Sequence, residues 1–293
     1  HAPIGMKGEI KKTLQELKTQ SDSPSLVLGL RDILDEPEKV CAAWEMEGVY
    51  PVLDEVYDRI FIYGTPAFFD PISAYRFGQK AKRKTSFTGF ISDGDLTAFP
   101  MEGKKNIPNP KKVLLTIGGG EDGAEIVSAY LEMLSKYECR LPIESSIILG
   151  PFMPESRKRA FEEKAKGLTV RFEEFLPELL AQLQEADLVV SMGGYNTVVE
   201  ILSSAKRALI IPRIYPRKEQ LLRARRLSEM GLVGYISPEE LTPGRLFETV
   251  HSMIADPTSP LAEARQKNLL PLDGAFKLAQ LCRPLLATQG VLK

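Results

Sequence analysis

The stretch from Asp187 to Gln220, DLVVSMGGYNTVVEILSSAKRALIIPRIYPRKEQ, leaves the chain little choice of fold. Leu188-Val189-Val190-Ser191 is an apolar run of strand length and β-branched content, and Gly193-Gly194 follow it at once. Without Cβ atoms the pair permits a sharp turn and a close approach by a ligand. Asn196 and Thr197 are placed to cap a helix that buries Val198, Ile201, Leu202 and Ala205 and presents Asn196, Glu200, Ser203 and Ser204 on its other face. Leu209-Ile210-Ile211 is a second strand, ended by Pro212. Strand, glycine turn, helix and strand form a βαβ unit whose helix N-terminus opens at the mouth of a parallel sheet, where anions bind.

The pattern recurs. Val113-Leu114-Leu115-Thr116-Ile117 runs into Gly118-Gly119-Gly120 and a helix carrying Ile126, Val127, Tyr130 and Leu134. Ile147-Ile148-Leu149-Gly150, Val170-Arg171-Phe172 and Val233 to Ile236 are further strands. In the first half, Leu26-Val27-Leu28 reads as a strand with Gly29 to Asp32 as its loop; Ile60 to Tyr63 and Ser86 to Ile91 follow. Strands alternating with helices in both halves predict an α/β protein of two mostly parallel domains. Pro- and Gly-rich residues 93–110 read as a linker between residues 1–92 and 111–255, and residues 256–293 as a helical tail packing back on the first domain.

Charge and cysteine use remove several function classes. Net charge is −1 and the pI is near 6.3, so no global field draws nucleic acid or anionic membrane. Cys41, Cys139 and Cys282 are odd in number and far apart, against a disulfide framework or zinc site. No apolar run of about 18 residues and no signal peptide is found. A cytoplasmic protein is expected, peripheral at the membrane if its acceptor is lipid-linked. His1 and His251 are poor candidate bases, no cluster suggests a metal, and the charges of Lys80 to Lys84 and most from Arg217 to Arg226 read as solvated surface.

The two glycine turns either make tight turns alone or line one crevice suited to a diphosphate; neither matches GxGxxG or the P-loop pattern. Arg213, Arg217 and Lys218 could meet phosphate there. Glu200 likewise has two readings. As an acid complementing the helix dipole it is worth roughly 0.3–1 kcal/mol of stability. As an acceptor for two sugar hydroxyls it is worth about 1.5–3 kcal/mol of binding. Glu219 and Gln220 close the polar loop after the Ile210 strand and would face the same crevice, and Asp32 is the candidate base from the first domain.

Residues 170–224 resemble the nucleotide-sugar half of the GT-B glycosyltransferases of family 28, of which the MurG-type transferase is the best-known member. VRFEEFLPELLAQLQEADLVVSMGGYNTVVEIL, ALIIP, EQLLRA and the earlier IGGGEDGAEI carry the resemblance. It implies two Rossmann-like domains, the N-terminal one incomplete, since the family's first strand and acceptor loop have no counterpart before Leu26. It also implies transfer of a sugar from a UDP-sugar to an acceptor hydroxyl, lipid-linked or small, without metal or other cofactor. Glu200 would hold the ribose; Gly118, Gly119, Gly120, Gly193, Gly194, Tyr195, Asn196 and Thr197 would border the diphosphate. Glu219 and Gln220 would touch the sugar, and Phe175 and Leu176 the base. Tyr195, in place of the more usual alanine, would reshape the pocket. A binding protein without transferase activity and a nucleotide-sugar hydrolase are the alternatives.

Overall fold

A computed structural model describes residues 2–92, 110–137, 140–174, 179–256 and 258–288, so the predicted linker falls almost wholly outside the described residues. The chain divides into two compact units, one of residues to 93 together with those from Leu270, the other of residues 94–269.

In the first unit α1 (Lys11–Lys18) precedes β1 (Val27–Arg31), α2 (Pro37–Glu47), α3 (Val49–Glu55) and β2 (Arg59–Tyr63). The short α4 (Pro71–Ala74) and α5 (Gln79–Arg83) lead to β3 (Thr85–Phe87). The three strands form a parallel sheet in the order β1-β2-β3. β1 runs on through Gly29, Leu30 and Arg31 rather than looping there, because these residues pair with Phe61, Ile62 and Tyr63 of β2, and the Tyr63 side chain occupies the space a Gly29 side chain would need. The core includes Leu30, Val52, Leu53 and Ile60, with Trp44 edge-on to Tyr50 and Tyr75.

The second unit runs β4 (Lys111–Thr116), α6 (Ala124–Tyr137), β5 (Ile143–Ile148), α7 (Glu155–Lys164), β6 (Val170–Glu173), α8 (Leu179–Glu185) and β7 (Leu188–Ser191). It continues with α9 (Tyr195–Ser204), β8 (Ala208–Ile210), α10 (Glu219–Glu229), β9 (Gly234–Tyr235), α11 (Pro243–Ala255) and α12 (Pro260–Gln266). Six parallel strands stand in the order β6-β5-β4-β7-β8-β9. β7 is buried at all four positions, as a parallel strand covered on both faces should be. Val113, Leu115, Ile147, Val190 and Leu209 meet Val127, Tyr130 and Leu131 of α6 in the core. This is an α/β, Rossmann-like architecture. The strand order reverses between β4 and β7, and the crevice outside the carboxyl ends of two such strands is where open α/β sheets bind ligands.

α9 departs from the sequence expectation in two ways. It begins at Tyr195, with Gly194 as N-cap and no side-chain cap from Asn196 or Thr197. Ser203 and Ser204 are buried rather than on a polar face, since their hydroxyls donate to the Val199 and Ile201 carbonyls.

After α12 the chain returns to the first unit, where α13 (Gly274–Thr288) begins beside a bridge between Ile91 and Asp273. Among the described residues no helix is long and apolar enough to cross a membrane.

Candidate functional site

β4 and β7 pair in parallel with Thr116 opposite Ser191, so the loops that follow them emerge side by side. A cavity of about 230 Å³ opens between those loops, lined by Gly118, Gly119 and Gly120 from one and Gly194 and Thr197 from the other. Gln220 closes it from the start of α10. The two glycine turns therefore border one crevice.

Main chain packs tightly behind the first glycine turn. Residues 150–153, after β5, lie against the first glycine turn, and the Phe152 N–H donates to the Gly119 carbonyl at 2.8 Å. A Cβ on Gly120 would stand 2.4 Å from the Leu149 carbonyl oxygen, and one on Gly150 would stand 2.3 Å from that of Gly118. Only glycines let two backbones approach so closely. The 150–153 loop does not itself line the cavity but backs its first glycine turn, and Leu149-Gly150 repeats the strand-then-glycine signal of the other two turns.

The other wall is the N-terminus of α9. First-turn N–H groups have no acceptor within their own helix, and they carry the positive end of its dipole. Gln220 Oε1 accepts the Arg213 N–H at 3.2 Å, and its amide nitrogen lies 4.0 Å from where a Gly194 Cβ would stand. Gln220 thus ties the β8–α10 loop to the mouth of α9.

An unforeseen ion-pair chain spans the crevice. Arg213, which lines it, donates from Nη1 to Asp122 Oδ2 at 2.7 Å and from Nη2 to Glu219 Oε1 at 3.1 Å. Burial works against the guanidinium charge, but the hydrogen bonds it donates to Asp122 and Glu219 outweigh that and raise its pKa. Nothing in sequence spacing joins Asp122 to Arg213; only the adjacency of β4, β7 and β8 does.

The remaining candidates are placed as follows. Glu200 stands half-buried in α9, not among the residues lining the cavity, and Asn196 is exposed at the start of the same helix. Gly193 gives its carbonyl to Arg223 Nη1 at 3.3 Å. Tyr195 is buried and not among the residues lining the cavity, its ring centroid 5.6 Å from the Arg223 guanidinium. Arg223 itself, only 1% exposed, is an exception to the solvated reading of that basic stretch. Glu219 is buried and paired with Arg213 instead of lining the cavity. Asp32 is buried in the first unit, one carboxylate oxygen accepting the Ile33 N–H at 2.7 Å. Phe175 and Leu176 lie outside the described residues.

Residues 113–278 match the model of the glycosyltransferase family 28 C-terminal domain. The chain is 25% identical over 264 residues to the UDP-N-acetylglucosamine–N-acetylmuramyl-(pentapeptide) pyrophosphoryl-undecaprenol N-acetylglucosamine transferase of Aliivibrio salmonicida, covering 86% of this chain and 70% of the relative. It is 35% identical over 103 residues to the NDP-glycosyltransferase YjiC of Bacillus subtilis, covering 35% of this chain and 24% of that one. Among solved structures it is similar in fold to the spinosyn rhamnosyltransferase SpnG complexed with thymidine diphosphate. There the TM-score is 0.58 at 15% identity, covering 93% of this chain and 70% of the other.

Proposed function

Since the chain belongs to glycosyltransferase family 28, whose C-terminal domain model matches more than half of it, we propose that it moves a sugar from a UDP-sugar to an acceptor hydroxyl. The observation that carries this reading is the single cavity bordered by the Gly118–Gly120 turn and the N-terminus of α9, at the strand-order reversal. Two amide-rich walls suit a diphosphate, and the SpnG structure, of like fold, was solved with a nucleoside diphosphate.

The chemistry follows from charge. As the bond between the sugar and the β-phosphate breaks, negative charge grows on the leaving diphosphate. Preorganised amides and the helix dipole at the Gly194 end offset that charge in place of a divalent cation. Glu200, one turn further along α9, accepts hydrogen bonds from the ribose diol, and Gln220, which lines the cavity, meets the donor sugar. With a lipid-linked acceptor, of the kind in the name of the Aliivibrio relative, the enzyme would work in the cytoplasm and peripherally at the membrane.

Titration calorimetry with UDP tests the site. We expect Glu200→Ala to weaken UDP about ten- to hundredfold, the equivalent of roughly 1.5–3 kcal/mol, with the melting temperature nearly unchanged. A loss confined to stability, with unaltered affinity, returns Glu200 to its dipole role. UDP release from UDP-sugars that rises only when acceptor is added then marks transfer, whereas release without acceptor marks hydrolysis.

A further inference from the structure

Arg213 is the only basic residue among the described residues lining the cavity, and both ends of its guanidinium are already engaged. Its partners Asp122 and Glu219 give the trio a formal charge of −1, and Glu121 lines the same cavity. Opposing this, the end of α9 offers about +0.5 of a charge. A diphosphate entering the cavity as it stands therefore meets a wall of its own sign.

The two pairs are not equal. Glu219 belongs to the first turn of α10 and its side chain is 11% exposed, whereas that of Asp122 is 43% exposed. A pair so open to water is screened, and its loss is worth only about a two- to fivefold change in an equilibrium. A phosphate carries more charge than a carboxylate and matches the guanidinium fork, so it competes well for that position. The Arg213 main chain is meanwhile fixed by its N–H bond to Gln220.

We propose that Arg213 is the donor diphosphate's cationic partner and that Asp122 is its place-holder, displaced from Nη1 when the diphosphate arrives while Glu219 keeps Nη2. This rests on the nucleotide-sugar reading and adds to it a specificity residue and an exchange of ion pairs. A second consequence is that the Gly118–Asp122 loop is tethered across the crevice before donor binds and released from Arg213 afterwards.

The test is UDP affinity by calorimetry on the full chain, with a thermal melt of each variant. Arg213→Gln should weaken UDP about ten- to hundredfold, and Arg213→Lys should lose less, keeping the charge without the fork. Asp122→Asn should act in the opposite direction and tighten UDP about two- to fivefold, because the competing anion is gone. A scaffold role for the ion pair predicts instead that both substitutions weaken binding. Weaker or unchanged binding in Asp122→Asn overturns the proposal, and so does unchanged binding in Arg213→Gln. Should Arg213→Gln not fold, the sign at the half-exposed Asp122 decides alone. If the unaltered chain binds no UDP, the nucleotide-sugar reading falls and this inference with it. If Glu200→Ala weakens UDP while Asp122→Asn fails to tighten it, only this inference falls.

Discussion

An added Cβ at Gly119 would stand 3.3 Å from Cδ2 of Phe152, a ring that is 68% exposed and free to turn aside. At Gly120 the same atom would stand 2.4 Å from the Leu149 carbonyl oxygen and 2.8 Å from the Met153 nitrogen, on a backbone with φ +91°. Neither obstacle there can rotate away. Gly119→Ala should therefore change stability by no more than about 0.5 kcal/mol. Gly120→Ala should cost at least about 1–3 kcal/mol from its backbone conformation alone and weaken UDP by displacing the 150–153 loop. Urea unfolding and UDP calorimetry on the pair check this, and equal behaviour would refute the interlocked-backbone account. The sequence shows three adjacent glycines as equivalents. What separates them is the backbone of another strand's loop, which has no signature in their own triplet.

Elements in the first unit are joined by a carboxylate that titrates. Asp58, just before β2, accepts the Lys18 ammonium of α1 at 2.5 Å and the Leu26 N–H ahead of β1 at 2.9 Å. Burial pushes the Asp58 pKa up, but Lys18 and the Leu26 N–H together outweigh it and hold it below the ordinary carboxylate value. With the folded pKa depressed, the stabilisation is complete above the unfolded value of about 3.9 and disappears as pH falls through the folded one. Asp58→Asn should thus lower stability at pH 7, and its deficit should shrink below about pH 4 in denaturation curves; a deficit constant from pH 7 to 3 would contradict this. Helices and strands themselves were legible wherever apolar period and glycine punctuation agreed, as in β4, α6, β7 and α9. Legibility failed where polar side chains find partners inside the fold. Ser203 and Ser204 disappear into α9 by bonding its own carbonyls, and Arg223 is buried against Tyr195 and Gly193. Such burial depends on partners distant in sequence, which hydropathy does not register.

For the molecule as a whole, the residues lining the cavity all lie between Ile117 and Gln220, within the second unit and above that unit's own core. A unit with its own core can fold alone. A fragment of residues 94–269 should keep UDP affinity within about threefold of the full chain, a difference of roughly 0.7 kcal/mol. Loss of UDP binding in a folded fragment would show that the first unit contributes to the nucleotide site. The family match crosses this boundary, since residues 270–278 belong to the matched region and yet to the first unit. The crevice was legible as two glycine turns meeting at one sheet edge; the Asp122–Arg213–Glu219 chain was not, because Asp122 comes from the loop after β4, far in sequence from Arg213 and Glu219 between β8 and the first turn of α10. Finally, a recognition surface made of peptide groups is nearly invisible to truncation. An alanine scan would register Glu200 and Arg213 but leave the crevice's amides in place, so their share of the grip would stay hidden in such a profile. To expose it, atoms must be added to the wall, not taken away.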